Sequence, residues 1–116
     1  MKISKHFKRS EFACKCKCGF DTVDAQLLNY LEAIRVHFDA PVSINSACRC
    51  SEHNAKIGGV DNSQHVQGRA ADIVVKGVSP SDVADFACDL VQHGGVGIYE
   101  TFTHIDSRGF QARWYG

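Results

Sequence analysis

The chain has 116 residues, a length that suits one domain, residues 1–116, with one small core. Hydrophobic residues make up 44% and charged residues 22%, with two prolines and no polar tract, which excludes a disordered chain. Thirteen Lys and Arg balance thirteen Asp and Glu, so net charge draws the chain neither to nucleic acid nor to an anionic membrane; a local basic patch remains near Lys5, Lys8 and Arg9.

No apolar run reaches the length of a membrane span, and no apolar stretch follows the charged start MKISKHFKRSEF. The expectation is a protein made in the cytoplasm without a signal peptide, not inserted in a membrane, and monomeric. Residues 1–20 read as a basic, cysteine-bearing lead-in. Asp21–Asp24 opens a helix, with acidic side chains at its positive end. Leu27, Leu28, Leu31, Ile34 and Phe38 recur at helical spacing, and Asp39-Ala40-Pro41 ends the pattern. Val42–Ser46 alternates as a half-buried strand does.

From Ala47 to Gly68 the chain is polar and rich in turn signals, with a short helix expected around Ser51–Lys56. Ala70–Val75 reads as a buried strand. Ser79 and Pro80 open a second helix whose apolar face is Val83, Phe86, Ala87, Leu90 and Val91, and Gly94-Gly95 is expected to close it. Val96–Tyr99 and Phe102–Asp106 read as two strands of a hairpin, and Ala112–Trp114 as a last short one. Two main helices with a small mixed or antiparallel sheet make the fold class α+β.

The six cysteines fall as Cys14, Cys16 and Cys18, then Cys48 and Cys50, then Cys88. A reducing site of synthesis argues against a disulfide framework. Two readings stay open: small buried side chains, or a second, structural zinc held by the two C-x-C clusters.

The chemistry concentrates in Ser63–Asp72, which runs from a glycine-rich loop onto a strand, and in Thr103–Asp106. His65, Asp72 and His104 offer two imidazoles and one carboxylate. With an open fourth position, that donor set is a common catalytic zinc site, able to activate water near neutral pH. His6 and His93 read as solvated, His37 as exposed or packed on the first helix, and His53 as a loop brace. Tyr99 and Trp114 read as core or groove-lining aromatics.

The pattern S-x-H-x-x-G-x-A-x-D at Ser63–Asp72, followed by H-I-D at 104–106, resembles peptidase family M15, the zinc D-Ala-D-Ala carboxypeptidases. Ile44–Cys50, Glu52-His53-Asn54, Gly58-Gly59-Val60, Gly95–Tyr99 and Ala112-Arg113-Trp114 extend the resemblance in order, as in small phage endolysin-type members. It implies a hedgehog/DD-peptidase-like fold and zinc held by His65, Asp72 and His104. It also implies a substrate-facing Arg49 that steadies the oxyanion and a Ser63 at the substrate edge. The substrate class is the peptidoglycan stem peptide, met at the cell wall after release from the cytoplasm, as by an endolysin or a wall-remodelling enzyme. Two departures stand out. Ala47-Cys48 replaces the family's Gly-Tyr before the arginine. Thr101 stands where many members carry a carboxylate, three residues before the second histidine. Glu100, on the His104 face if the strand is regular, and Asp106 are the candidates for general base. A non-catalytic zinc-binding module of the hedgehog-like fold is the alternative reading.

Overall fold

Asp24 starts the first helix. Its carboxylate accepts from the Leu27 N–H at 3.3 Å, a cap worth about 1 kcal/mol, and α1 then runs Ala25–Phe38. Leu27, Leu31 and Ile34 are fully buried along one side of it. Asp39 ends the helix in the left-handed region at φ 47°, ahead of Pro41. The computed structural model describes residues 3–14, 23–47 and 69–116. The helix expected at Ser51–Lys56, and the candidates Arg49, Ser63 and His65, lie outside them, as do His53, Cys16, Cys18, Cys48 and Cys50.

Ser79 caps the second helix from its side chain, accepting from Asp82 N–H at 3.1 Å, with Pro80 in the first turn. This helix, α2, spans Pro80–Leu90 and buries Val83, Ala84 and Ala87. It ends before Gly94-Gly95, the pair expected to close it. Gly95 instead opens a strand, for a reason given below.

The strands are β1 Val42–Ser46, β2 Ala70–Val75, β3 Gly95–Ile98, β4 Thr103–Asp106 and β5 Ala112–Tyr115. Their order across the sheet is β1-β2-β4-β3-β5, antiparallel throughout except for the parallel pair β3–β5. The expected hairpin is therefore present as β3–β4, turning through Tyr99–Phe102, where Tyr99 N–H donates to Phe102 O at 3.0 Å. The observed architecture is a small α+β fold with a mixed sheet.

Strand alternation divides the sheet into two faces. Ala71, Ile73 and Val75 of β2, Val96 of β3 and Ile105 of β4 join the buried side chains of α1 and α2 in one core. Asp72, His104 and Asp106 have the opposite parity and so stand on the other face. β2 and β4 are inner strands, which explains why polar side chains there are still nearly as buried as the core.

A polar anchor and an apolar one complete the frame. Arg113, on the helix side of β5, donates to Val91 O at 2.6 Å, Cys88 O at 3.1 Å and Gly94 O at 2.8 Å. It thus satisfies carbonyls left open at the end of α2 and places a cation at the negative end of that helix. Replacing Arg113 by alanine is expected to lower stability by about 2 kcal/mol in urea unfolding, with lysine recovering part of the loss. At the other end, Phe7 and Phe12, the latter in a 3-10 turn at Arg9–Phe12, are buried in the core.

His6, expected to be solvated, is not. Its ring Nδ1 lies 2.6 Å from Glu32 of α1, whose carboxylate also accepts from Ser4 Oγ and from the His6 N–H. Burial would raise the Glu32 carboxyl, but the hydrogen bonds from Ser4 and His6 outweigh it and hold it below its usual value. His37 is exposed, with its ring stacked on Phe86 of α2 at 3.8 Å.

Candidate metal centre

The register of the sheet assembles the site. Ser46 of β1 pairs with Asp72 of β2, Asp72 with His104 of β4, His104 with Gly97 of β3, and Gly97 with Trp114 of β5. One residue from each strand thus lies in a single row across the face opposite the helices. At its centre, His104 Nδ1 stands 3.0 Å from Asp72 Oδ1. Asp72 and His104 are separated by 32 positions in the chain and meet only because β2 and β4 pair.

The other imidazole nitrogen is engaged too. Nε2 lies 2.8 Å from Oδ2 of Asp106, which is two residues along the same strand and therefore on the same face. Asp106 is fully buried. Its Oδ1 accepts from Gly95 N–H at 2.8 Å and from Arg108 N–H at 3.1 Å. The Arg108 guanidinium closes the set, with Nε 2.9 Å from Oδ1 and Nη2 2.6 Å from Oδ2. Burial alone would raise the Asp106 carboxyl, but the hydrogen bonds from His104 and Arg108 win and hold it far below the usual carboxylate range. Burial likewise would lower the His104 imidazole, and its hydrogen bonds to Asp106 and Asp72 raise it instead.

This arrangement explains the glycines of β3. A Cβ on Gly95 would strike the Asp106 carboxylate, and one on Gly97 would come 2.5 Å from Trp114 Cε2. The missing side chains let the carboxylate and the indole lie across β3 and reach His104. The Trp114 ring centroid is 5.0 Å from that of His104, and its Nε1–H donates to the Tyr99 hydroxyl at 3.0 Å. Tyr99 in turn stacks on Phe102, with centroids 4.4 Å apart. Both aromatics read as core or groove-lining are thus tied to the row that carries His104.

The residues present suit a zinc ion. Two donors of a tetrahedral zinc site with bonds of about 2.0–2.2 Å are about 3.3 Å apart, close to the spacing of Asp72 Oδ1 and His104 Nδ1. A carboxylate holding the far nitrogen of a ligating histidine is the usual support in such sites. Among the described residues, no three His, Cys, Asp or Glu side chains form a group placed to hold one ion. Two of the three predicted ligands are together, and His65 belongs to the residues outside the description.

The two candidate bases differ in setting. Asp106 is enclosed, with both oxygens committed. Glu100 is exposed and lies in the Tyr99–Phe102 turn, before β4 begins at Thr103. The alternation that would place it on the His104 face does not extend to it. Sequence reasoning missed Arg108 and the purpose of Gly95 and Gly97. Counting outward from the turn was the available signal, since it sets Gly97 opposite His104 and Gly95 opposite Asp106.

No helix among the described residues is long and apolar enough to cross a membrane. A search among curated proteins finds no match. The sequence pattern of the family described as Peptidase M15 matches residues 5–106, a span that takes in Asp72, His104 and Asp106. The row built on the paired Asp72 and His104 is therefore carried by a chain that belongs to the peptidase M15 family.

Proposed function

We propose that residues 1–116 form one zinc peptidase domain that hydrolyses amide bonds in peptidoglycan stem peptides. The reaction type is D,D-carboxypeptidase or D,D-endopeptidase, and the setting is a phage endolysin or a wall-remodelling enzyme acting at the wall. The observation that carries this is the Asp72–His104 pair, 3.0 Å apart at the centre of the sheet, with the far nitrogen of His104 held by a buried carboxylate. Membership of a peptidase family supports the reaction class, and the stem-peptide substrate rests on the motif resemblance.

Asp72 and His104, with His65, would hold the ion. Bound zinc supplies Lewis acidity to the scissile carbonyl and to water near neutral pH. Glu100, the candidate with open oxygens, takes the proton of the attacking water and returns it to the leaving amine. By the motif resemblance, Arg49 would steady the oxyanion with a group that stays charged and offers several donors, and Ser63 would serve the substrate edge. Asp106 would hold the Nε2–H of His104, leaving Nδ1 as the nitrogen to bind the ion beside Asp72.

Digestion of purified peptidoglycan tests the reading. Chelator-sensitive cleavage is expected, and product masses name the bond. No cleavage of walls of several chemotypes by folded, zinc-loaded protein would favour the binding-module alternative, with Thr101 in place of a carboxylate as its cause. Glu100→Gln is expected to keep zinc and to lose turnover by about 100-fold or more. Near-normal turnover in that variant removes Glu100 from the reaction.

A further inference from the structure

Asp106 supports His104, and Arg108 supports Asp106 more closely than any other residue does. β4 ends at Asp106, and the chain turns at once, so that the Arg108 N–H, two residues on, donates to the Asp106 carboxylate. The Arg108 side chain reaches the same carboxylate through both Nε and Nη2. The guanidinium is held on its flat side as well. Its Cζ lies 5.1 Å from the Trp114 ring and 5.7 Å from the Phe110 ring. Trp114 is the same ring that flanks His104. Arg108 is therefore fixed by a planar fork in one direction and by aromatic faces in another, a combination that lysine cannot reproduce.

We propose that Arg108 is a positioning residue of the metal centre, acting through Asp106 to set the plane of the His104 imidazole. The inference rests on the zinc-site reading above. The torsion of an aspartate carboxylate about its terminal bond is soft. A carboxylate bonded to His104 alone would let the ring rock with it. The Arg108 fork and the Gly95 N–H fix the carboxylate plane, so Oδ2 occupies one point and the Nε2–H has one target. With the ring plane set, Nδ1 is aimed at the position beside Asp72 Oδ1.

Cobalt(II) uptake by the full-length protein tests this, read by affinity and by the visible ligand-field bands. The variants are R108K, R108A, D106N and D106N/R108K, each checked for native far-ultraviolet dichroism. R108K keeps the charge beside Asp106 and carries the test if R108A does not fold. The expected result is about tenfold weaker cobalt binding and altered bands in R108K. Millimolar guanidinium should restore R108A, and D106N/R108K should be no weaker than D106N. Wild-type affinity and bands in R108K would overturn the proposal, as would fully additive losses in the double variant. If the wild-type protein takes up no cobalt, the metal-site reading falls and this inference with it. If the wild type binds and R108K matches it, the inference alone falls.

Discussion

Gly95→Ala is expected to lose about 3 kcal/mol of stability and, in whatever fraction stays folded, the metal site. The reason is steric and local. The new methyl group would occupy the space of the Asp106 carboxylate. That carboxylate is fully buried, and its oxygens accept from Gly95, His104 and Arg108, so it has nowhere to move without leaving a charge unpaired. Urea unfolding followed by dichroism gives the stability change, and zinc content of the dialysed protein gives the second loss. Gly97→Ala is a milder comparison, because the atom it meets belongs to the Trp114 side chain at the edge of the sheet. A Gly95→Ala protein as stable and as zinc-loaded as the wild type would mean that Asp106 does not lie across β3.

His104→Ala and Asp72→Ala are each expected to abolish zinc retention and, with it, peptidase activity. Removing a supporting contact around a ligand typically costs about 10–100-fold in metal affinity, and removing the ligand costs more. The two variants differ in what they leave behind. His104→Ala takes away one partner of Asp106 but leaves the Arg108 fork in place. Asp72→Ala leaves the His104–Asp106–Arg108 chain complete. Zinc content by elemental analysis should read near zero for both, while Asp72→Ala should unfold closer to the wild-type midpoint. A full zinc equivalent in either variant would place the ion elsewhere.

The parts of the fold that were legible in the sequence are those decided by neighbours in the chain. The Asp24 and Ser79 caps, the Leu27–Leu31–Ile34 stripe and the helix stop at Asp39-Ala40-Pro41 each depend on residues within a turn or two. The strand limits at Val42–Ser46 and Ala70–Val75 followed from the same kind of local pattern. What was misread depends on contacts between residues distant in the chain. Gly94-Gly95 looks like a helix stop, because glycine after an apolar face usually is one. Its actual constraint is Asp106, 11 residues later, and no local rule reports it. His6 looked solvated because its partner Glu32 is 26 residues away.

The site divides in the same way. The resemblance of the motif to family M15 singled out Asp72 and His104, and strand pairing brings them together. Glu100 was argued from strand alternation that stops at Thr103, since the hairpin needs the preceding residues for its turn. Arg108 bonds a carboxylate only two residues back, but its value depends on that carboxylate also holding His104 and Gly95, which the pairing of β3 with β4 decides.

Trp114 is the single tryptophan of the sequence, and its ring lies beside the His104 imidazole. All indole fluorescence of the protein therefore originates at the edge of the site and none at the packing of the helices. Quenching by an added paramagnetic ion reports occupancy next to His104. Emission followed during denaturation reports the moment when β5 peels away from Gly97, which need not coincide with loss of helix. The difference between those two signals measures how far the face that carries His104 can loosen while the layer behind it stays intact.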